Sequence, residues 1–147
     1  MFKHILVPTD GSSLSLRAAK RAIAFAKGSG ARITAFYAGP QYTVQIYGDF
    51  VPPDFVTPQE FARQSKRVAE RYLEAIAKVA KTARVRCQTY YVISDTPWQA
   101  IIKAAKAKKC DLIFMASHGR RGLSGLLLGS ETQRVLTHSK VPVLVHR

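Results

Sequence analysis

Short apolar segments alternating with stretches of helical period restrict this chain more than any other feature. Ile5 to Val7, Ile33 to Tyr37, Val85 to Val92, Leu112 to Ala116 and Val141 to Val145 are brief and rich in β-branched and aromatic residues, which predicts five strands. Between them, Leu16, Ala19, Ile23 and Ala26 recur at steps of three and four, while Arg17, Lys20, Arg21 and Lys27 fall mostly on the other side, so an amphipathic helix follows the first strand. Val68, Ala69, Tyr72, Leu73, Ile76 and Val79 form a second apolar stripe, opposed by Arg67, Glu70, Arg71, Glu74 and Lys78. Thr96-Pro97-Trp98-Gln99 reads as the start of a third helix, with Thr96 as cap, Pro97 at the first helical position and Gln99 completing a capping box. Ser130-Glu131-Thr132-Gln133 repeats that pattern for a fourth helix reaching about His138. Strands alternating with helices, with the first and fourth strands almost wholly apolar, predict an α/β doubly wound fold: a five-stranded parallel sheet with helices on both faces. In such sheets ligands sit beyond the carboxyl ends of the strands, where the strand order reverses.

A length of 147 residues suits one domain, 1–147, and 47% hydrophobic with 22% charged residues excludes disordered, collagenous and coiled-coil chains. The longest stretch without a charge, Ile33 to Gly48, is broken by Gly39, Pro40, Gln41 and Gln45, so it does not supply the roughly 20 apolar residues of a membrane span. The opening residues Met1 to Pro8 lack the pattern of a secretory signal, and the expected location is the cytoplasm. Cys87 and Cys110 share no ligand spacing and read as reduced, small core residues. The proline-bearing stretch Gly39 to Pro58 reads as a mobile loop or lid. The charge is unusual: 23 Lys and Arg against 9 Asp and Glu give a net charge of +14, which favours anionic partners.

Two loops carry the chemistry. After the first strand comes Pro8-Thr9-Asp10-Gly11-Ser12-Ser13, a carboxylate and hydroxyls just before a helix, where Asp10 or Ser12 can cap and Gly11 can turn the chain. After the fourth strand, Ala116 to Ser130 holds four glycines, Arg120, Arg121 and several hydroxyls between a buried strand and a helix start. Backbone N–H groups approach a ligand where side chains are absent, a helix start offers unpaired donors and arginines supply charge, so this loop suits an anion, polyphosphate above all. It matches neither the Walker pattern nor the dinucleotide fingerprint. His118 lacks the carboxylate or serine partner that a catalytic role needs. Trp98 reads as packing, and Lys103, Lys106, Lys108 and Lys109 as a solvated helix face without the interleaved aromatics of a single-strand binder.

Lys3-His4-Ile5-Leu6-Val7-Pro8-Thr9-Asp10-Gly11-Ser12, Cys110 to Gly119 and Val141 to Val145 together resemble the first, fourth and last strands of the universal stress proteins. The nucleotide-binding branch of that family carries G-x2-G-x9-G-[ST]; here the stretch starts at Ala116 and continues through Gly119 to Gly129 and Ser130, so three of four positions agree. The resemblance implies strand order 3-2-1-4-5, a homodimer and ATP (or AMP or ADP) over the strand ends. By position, Pro8, Thr9, Ala38 and Met115 would line the adenine. Asp10 would lie beside ribose and phosphates, holding Mg2+ where a metal takes part. Gly119, Gly129, Ser130 and Thr132 would hold phosphate, with His118, Arg121 and Glu131 beside them.

Two departures from the pattern have physical consequences. Ala116 adds a methyl group near the ribose, harmless if its φ is negative, as expected of a strand's last residue. Glu131 places a negative charge in the first turn of the fourth helix, favourable to the helix dipole but opposed to a phosphate.

The function expected is that of an ATP-binding regulatory or stress-response protein, not chiefly a catalyst. No residue has a claim to orient an attacking water, so a slow ATPase is the enzymatic alternative. A second alternative is a basic module of the same fold that binds an acidic protein or nucleic acid without nucleotide, though nucleic acid ranks behind nucleotide. The apolar last strand, Val141 to Val145, would leave a sheet edge open and is the expected homodimer surface.

Overall fold

The computed structural model describes residues 1–44, 48, 49, 52–120 and 127–147. In chain order it contains β1 (His4–Pro8), α1 (Ser13–Ser29), β2 (Arg32–Gly39), α2 (Pro58–Thr82), β3 (Cys87–Ile93), α3 (Pro97–Ala107), β4 (Leu112–Ala116), α4 (Ser130–His138) and β5 (Val143–His146). The five strands pair in the order β3-β2-β1-β4-β5, and all four pairings are parallel. The α/β sheet and its order agree with expectation. Its ends differ from the sequence reading by a few residues: β5 starts two residues later than Val141, and β3 two later than Val85.

Alternate residues of the central strands face opposite layers, as the two-residue period of a strand requires. Ile5, Val7, Ile33 and Ala35 pack beneath α1 and α2 with Ala22, Ile23, Ala26, Leu73 and Ile76. Leu6, Phe36, Ile113 and Met115 pack beneath α3 and α4 with Ile101, Ala105 and Val135. Small residues at Ala18, Ala19, Ala22 and Ala26 give α1 its buried face, so the helix sits low on the sheet. Among the described residues no helix is long and apolar enough to cross a membrane.

Helix starts are where sequence and structure part. α2 begins with Thr57 as cap: its hydroxyl accepts from the Glu60 N–H at 3.2 Å, and the Thr57 N–H donates to the Glu60 carboxylate at 3.1 Å. This capping box was missed, although Thr57-Pro58-Gln59-Glu60 is its sequence signature. Pro58 therefore belongs to a helix rather than to the expected lid. Residues 45–47, 50 and 51 of that stretch lie outside the described residues. Beside them, Tyr42 packs on Phe61 at 5.3 Å and donates to the Val56 carbonyl at 2.6 Å.

Thr96 and Pro97 open α3 as expected, but the capping box does not form. Thr96 has φ −119° and ψ 77°, away from extended cap geometry, and its hydroxyl turns to the Gln99 side chain at 3.4 Å instead.

The amino ends of β1, β2 and β4 are tied by polar groups. The Asp111 carboxylate accepts from the N–H groups of Lys3 (2.8 Å) and His4 (2.9 Å). The buried His4 ring meets the Thr34 hydroxyl at 2.7 Å, and Gln88 donates to the same hydroxyl at 2.8 Å. Cys110 is buried and Cys87 half-buried; both are free, and burial pushes the Cys110 thiol up to about 11, far from the thiolate range.

Helices α1, α2 and α3 each end in a left-handed residue: Gly30 (φ 70°), Arg84 (φ 59°) and Lys109 (φ 54°). The following N–H groups of Ala31, Val85 and Cys110 reach back to Ala26, Ala80 and Ala105 at 2.8–3.0 Å, closing the same helix-terminating loop each time. For Arg84 and Lys109 that conformation costs about 1–2 kcal/mol per residue, against about 0.5–1 kcal/mol for the extra freedom of an unfolded glycine. The double variant Arg84→Gly/Lys109→Gly should therefore gain about 1 kcal/mol in unfolding free energy, read from urea denaturation; a loss would contradict the assigned backbone.

Burial, aided by the nearby Arg32 charge, lowers the pKa of His4 below 6.5. The unfolded chain then takes up the proton first, so stability is full above about pH 6.5 and falls as pH drops towards the folded-state value. The thermal midpoint should decline between about pH 7 and 5.5, and His4→Gln should flatten that decline.

Candidate functional site

At the end of β1 the backbone turns sharply. The Thr9 N–H continues the pairing with β2 by donating to Phe36 O at 2.8 Å, while its hydroxyl lies 2.9 Å from Ser15 Oγ on α1. Ser12 is the helix cap, accepting from the Ser15 N–H at 3.1 Å, so Asp10 is released from capping. One Asp10 oxygen accepts the Ser12 N–H (2.9 Å) and the other crosses to the Arg120 N–H (2.7 Å) in the loop after β4. Burial alone would raise this carboxyl, but the Ser12 and Arg120 hydrogen bonds outweigh it and hold the group below the usual carboxylate range.

The loop after β4 approaches the same carboxylate without a side chain. A Cβ placed on Gly119 would fall 2.3 Å from Asp10 Oδ2, so only glycine fits there without moving Asp10. At the other end of the loop, a Cβ on Gly129 would stand 3.0 Å from both Cα and Cβ of His118, and the Gly129 N–H donates to Ser117 O at 2.7 Å. The chain thus leaves β4 at Ser117 and returns to the same point at Gly129. Residues 121–126, with Arg121, lie outside the described residues. The only non-glycine residues of positive φ among the described ones are Arg84 and Lys109, so Ala116 is unstrained and its methyl packs against Leu14 and Ala18.

Ser130 is not the cap of α4. Gly129 is, because its N–H bond to Ser117 fixes it in extended geometry (φ −71°, ψ 159°) one residue earlier. The expected box is lost, and Gln133 reaches the Leu128 carbonyl at 3.3 Å instead. Among the described residues nothing accepts from the N–H groups of Ser130, Glu131 and Thr132, so three donors stand open at the start of α4, at the mouth of the glycine loop.

The remaining predicted residues divide. Ala38 and Met115 share the face under α3 and α4, with Pro8 ending β1 between their strands. Thr132 is buried and spends its hydroxyl hydrogen on Ala116 O at 3.0 Å. Glu131 turns away from the loop: its carboxylate accepts the Trp98 N–H at 2.8 Å, capping α3 from α4, and lies 3.6 Å from Arg134. The repulsion expected between Glu131 and a phosphate is thereby weakened. His118 has a serine neighbour after all, Ser117 Oγ at 3.1 Å from Nδ1, but that hydroxyl is buried and unsuited to attack. Arg120 does not face the loop; its guanidinium hydrogen-bonds the Tyr72 hydroxyl and sits 5.2 Å from the Tyr72 ring centre.

Helical periodicity by itself gives Tyr72 a packing role only. Its ring covers Gly11, meets Tyr37 edge-on at 5.3 Å, and Tyr37 stacks on Tyr91 at 5.9 Å. Nothing in the local sequence marks this cluster, because its members come from α2, β2 and β3. For a metal, Asp10 is a lone carboxylate, and among the described residues no three metal-binding side chains gather. Such a site suits Mg2+ only when nucleotide phosphates supply the other ligands.

A family model for the universal stress protein family matches residues 1–147. The chain is 37% identical to universal stress protein MJ0531 of Methanocaldococcus jannaschii over 150 residues, covering 99% of this chain and 82% of that one. Among solved structures, that of the protein MJ0577, from which a biochemical function was assigned, superposes with a TM-score of 0.78 at 26% identity, covering 99% of this chain and 95% of that one. A universal stress protein in complex with cAMP superposes with a TM-score of 0.74 at 25% identity, covering 99% and 97%. With the parallel sheet in the order 3-2-1-4-5 and a family match along its whole length, this chain belongs to the universal stress protein family.

Proposed function

We propose that the protein binds an adenine nucleotide, ATP foremost, across the carboxyl ends of β1, β2 and β4, and that the bound nucleotide sets its conformation or partner choice in the cytoplasm. The observation that carries this reading is the start of α4: three N–H groups with no acceptor among the described residues, at the positive end of a helix dipole, beside a loop whose neck is closed by Asp10 and Gly119. Polyphosphate is the ligand that such donors fit. In this reading the adenine lies against Pro8, Thr9 and Ala38 at the ends of β1 and β2, with Met115 of β4 in the core behind them, and Asp10 offers its carboxylate to the ribose or to a phosphate-borne Mg2+. A solved relative of the same fold holds cAMP, another adenine nucleotide, which supports the choice of base.

Regulation is favoured over hydrolysis. Both Asp10 oxygens already accept backbone N–H groups, so Asp10 is a holder of position rather than a base free to activate water. His118 has no carboxylate to orient it among its hydrogen-bond partners.

Calorimetry with ATP, together with mass spectrometry of nucleotide released on denaturation, tests the reading. Gly129→Val forces a side chain against His118 and should weaken ATP by about tenfold or more, whereas Glu131→Gln, whose carboxylate serves α3, should change it by about twofold or less. No ATP binding by the unaltered protein, or full affinity in Gly129→Val, would place the phosphates elsewhere.

The edge strand β5 is half-buried along its length, with Val143 and Leu144 packing on opposite faces and its outer edge unpaired among the described residues. A second copy of the chain covering this edge is the proposed dimer. Light scattering at micromolar concentration should give twice the monomer mass, and Val143→Lys should reduce it to the monomer value.

A further inference from the structure

Every strand of the sheet starts beside an exposed cation. Lys3 precedes β1, Arg32 heads β2, Arg86 precedes β3, Lys109 precedes β4 and Lys140 precedes β5. Backbone hydrogen bonds set these starts side by side: Arg32 N–H to Lys3 O (3.0 Å), Ile33 N–H to Arg86 O (2.8 Å), Asp111 N–H to His4 O (2.9 Å) and Ile113 N–H to Pro142 O (2.9 Å). The cations therefore follow the strand order Arg86, Arg32, Lys3, Lys109, Lys140 along the amino end of the sheet. At about 4.8 Å between strands, the row is roughly 19 Å long.

No ion pair holds it among the described residues. Among the described residues the ion pairs are Lys66–Glu70 and Glu131–Arg134, and neither lies in the row. The one acid at this end, Asp111, gives both oxygens to backbone N–H groups, so its carboxylate offsets one of the five charges without pairing with any of them. Six of the nine acids, Asp10, Asp49, Asp54, Glu60, Asp95 and Glu131, lie at the opposite end of the sheet or in the loops and helix starts there. The helix dipole accounts for cations in the last turn of a helix, but its effect fades beyond that turn, and Lys3 follows no helix at all. Local backbone preference runs the other way. Arg84 and Lys109, both at this end, hold the left-handed conformation that glycine adopts without strain, so cations stand where the turn alone favours glycine.

We propose that the amino end of the sheet docks on the phosphate backbone of a nucleic acid duplex, without reading its sequence. Cations that follow one another in strand order along the sheet end match a linear polyanion: along a duplex axis, roughly 19 Å spans about five phosphates of each strand, and each neutralised phosphate releases counterions. A protein partner would need a continuous apolar centre. The large apolar side chains exposed at this end do not form one: Met1 precedes β1, while part of Phe25 on α1 and part of Leu136 in the last turn of α4 stand on helices that cover opposite faces of the sheet. A bilayer gains most from inserted apolar groups, which are few at this end. The surface is remote from the nucleotide site, so the proposal stands independently of that reading.

The test is fluorescence anisotropy with a fluorescein-labelled duplex of about 20 base pairs at about 50 mM salt, comparing two triple variants of equal charge change. Arg32→Gln/Arg86→Gln/Lys140→Gln should weaken binding about tenfold or more and lower the slope of log affinity against log salt by about two to three, since each lost phosphate contact removes about 0.9. Arg17→Gln/Lys20→Gln/Arg21→Gln on α1 should change affinity by about threefold or less, because those cations lie off the row. Arg32→Lys/Arg86→Lys/Lys140→Arg, which keeps the charge, should bind as the unaltered protein does; this shows that charge rather than a folding defect governs the loss. Equal losses in the two Gln variants, absence of duplex binding, or row-dependent binding to phosphatidylserine–phosphatidylcholine vesicles in preference to duplex would each overturn the proposal.

Discussion

A sheet whose strands all run the same way sends every carboxyl end to one side and every amino end to the other, and each helix must carry the chain back across the whole sheet. In this protein that constraint sorts the chemistry as well as the chain. Loops that follow strands collect Asp10, the glycine loop and the open start of α4. Loops that precede strands collect Lys3, Arg32, Arg86, Lys109 and Lys140. The resulting molecule has two unlike ends, one built from backbone donors and carboxylates, the other from side-chain cations.

Asp10 is the joint on the carboxyl side. Its two oxygens bind N–H groups from different loops, Ser12 after β1 and Arg120 after β4, so a single carboxylate fixes the gap between the central strands where the order reverses. Gly119 permits that approach because any β-carbon would collide with the carboxylate. On the far side of the same joint, Arg120 leans on Tyr72, and through it the glycine loop contacts α2, Tyr37 and Tyr91. The start of the loop is therefore held by side chains from three elements, while its far end is held by Gly129 folding back on Ser117 and by Gln133 reaching the Leu128 carbonyl.

The two helices on the other face are coupled by one charge. Glu131, in the first turn of α4, caps α3 through the Trp98 N–H, and the Trp98 ring lies 4.6 Å from that of His138 at the end of α4. Glu131 thus serves the helix pair. A carboxylate near a helix N-terminus stabilises it through the helix dipole, and Glu131 does this for α3.

Periodicity and composition alone determined the five strands, the four helices, the parallel α/β class and the loops worth searching, because those features depend on residues near one another in the chain. The resemblance carried by Lys3 to Ser12, Cys110 to Gly119 and Val141 to Val145 added the strand order. Tertiary structure alone decided which hydrogen bonds the caps make. Ser130 lost its capping place because Gly129 is held by Ser117, twelve residues away in sequence and adjacent in space. At the start of α3 the Trp98 N–H is taken by Glu131 from α4, while the Thr96 N–H goes to Ser94, and Arg120 went to Tyr72 rather than to the glycine loop. Each side chain had a reasonable local partner, and in each case a partner brought in by the fold offered better geometry; local sequence holds no record of that competition. The row of cations is equally invisible along the chain, where its members are spread from residue 3 to residue 140, and appears only when five parallel strands place their beginnings on one line.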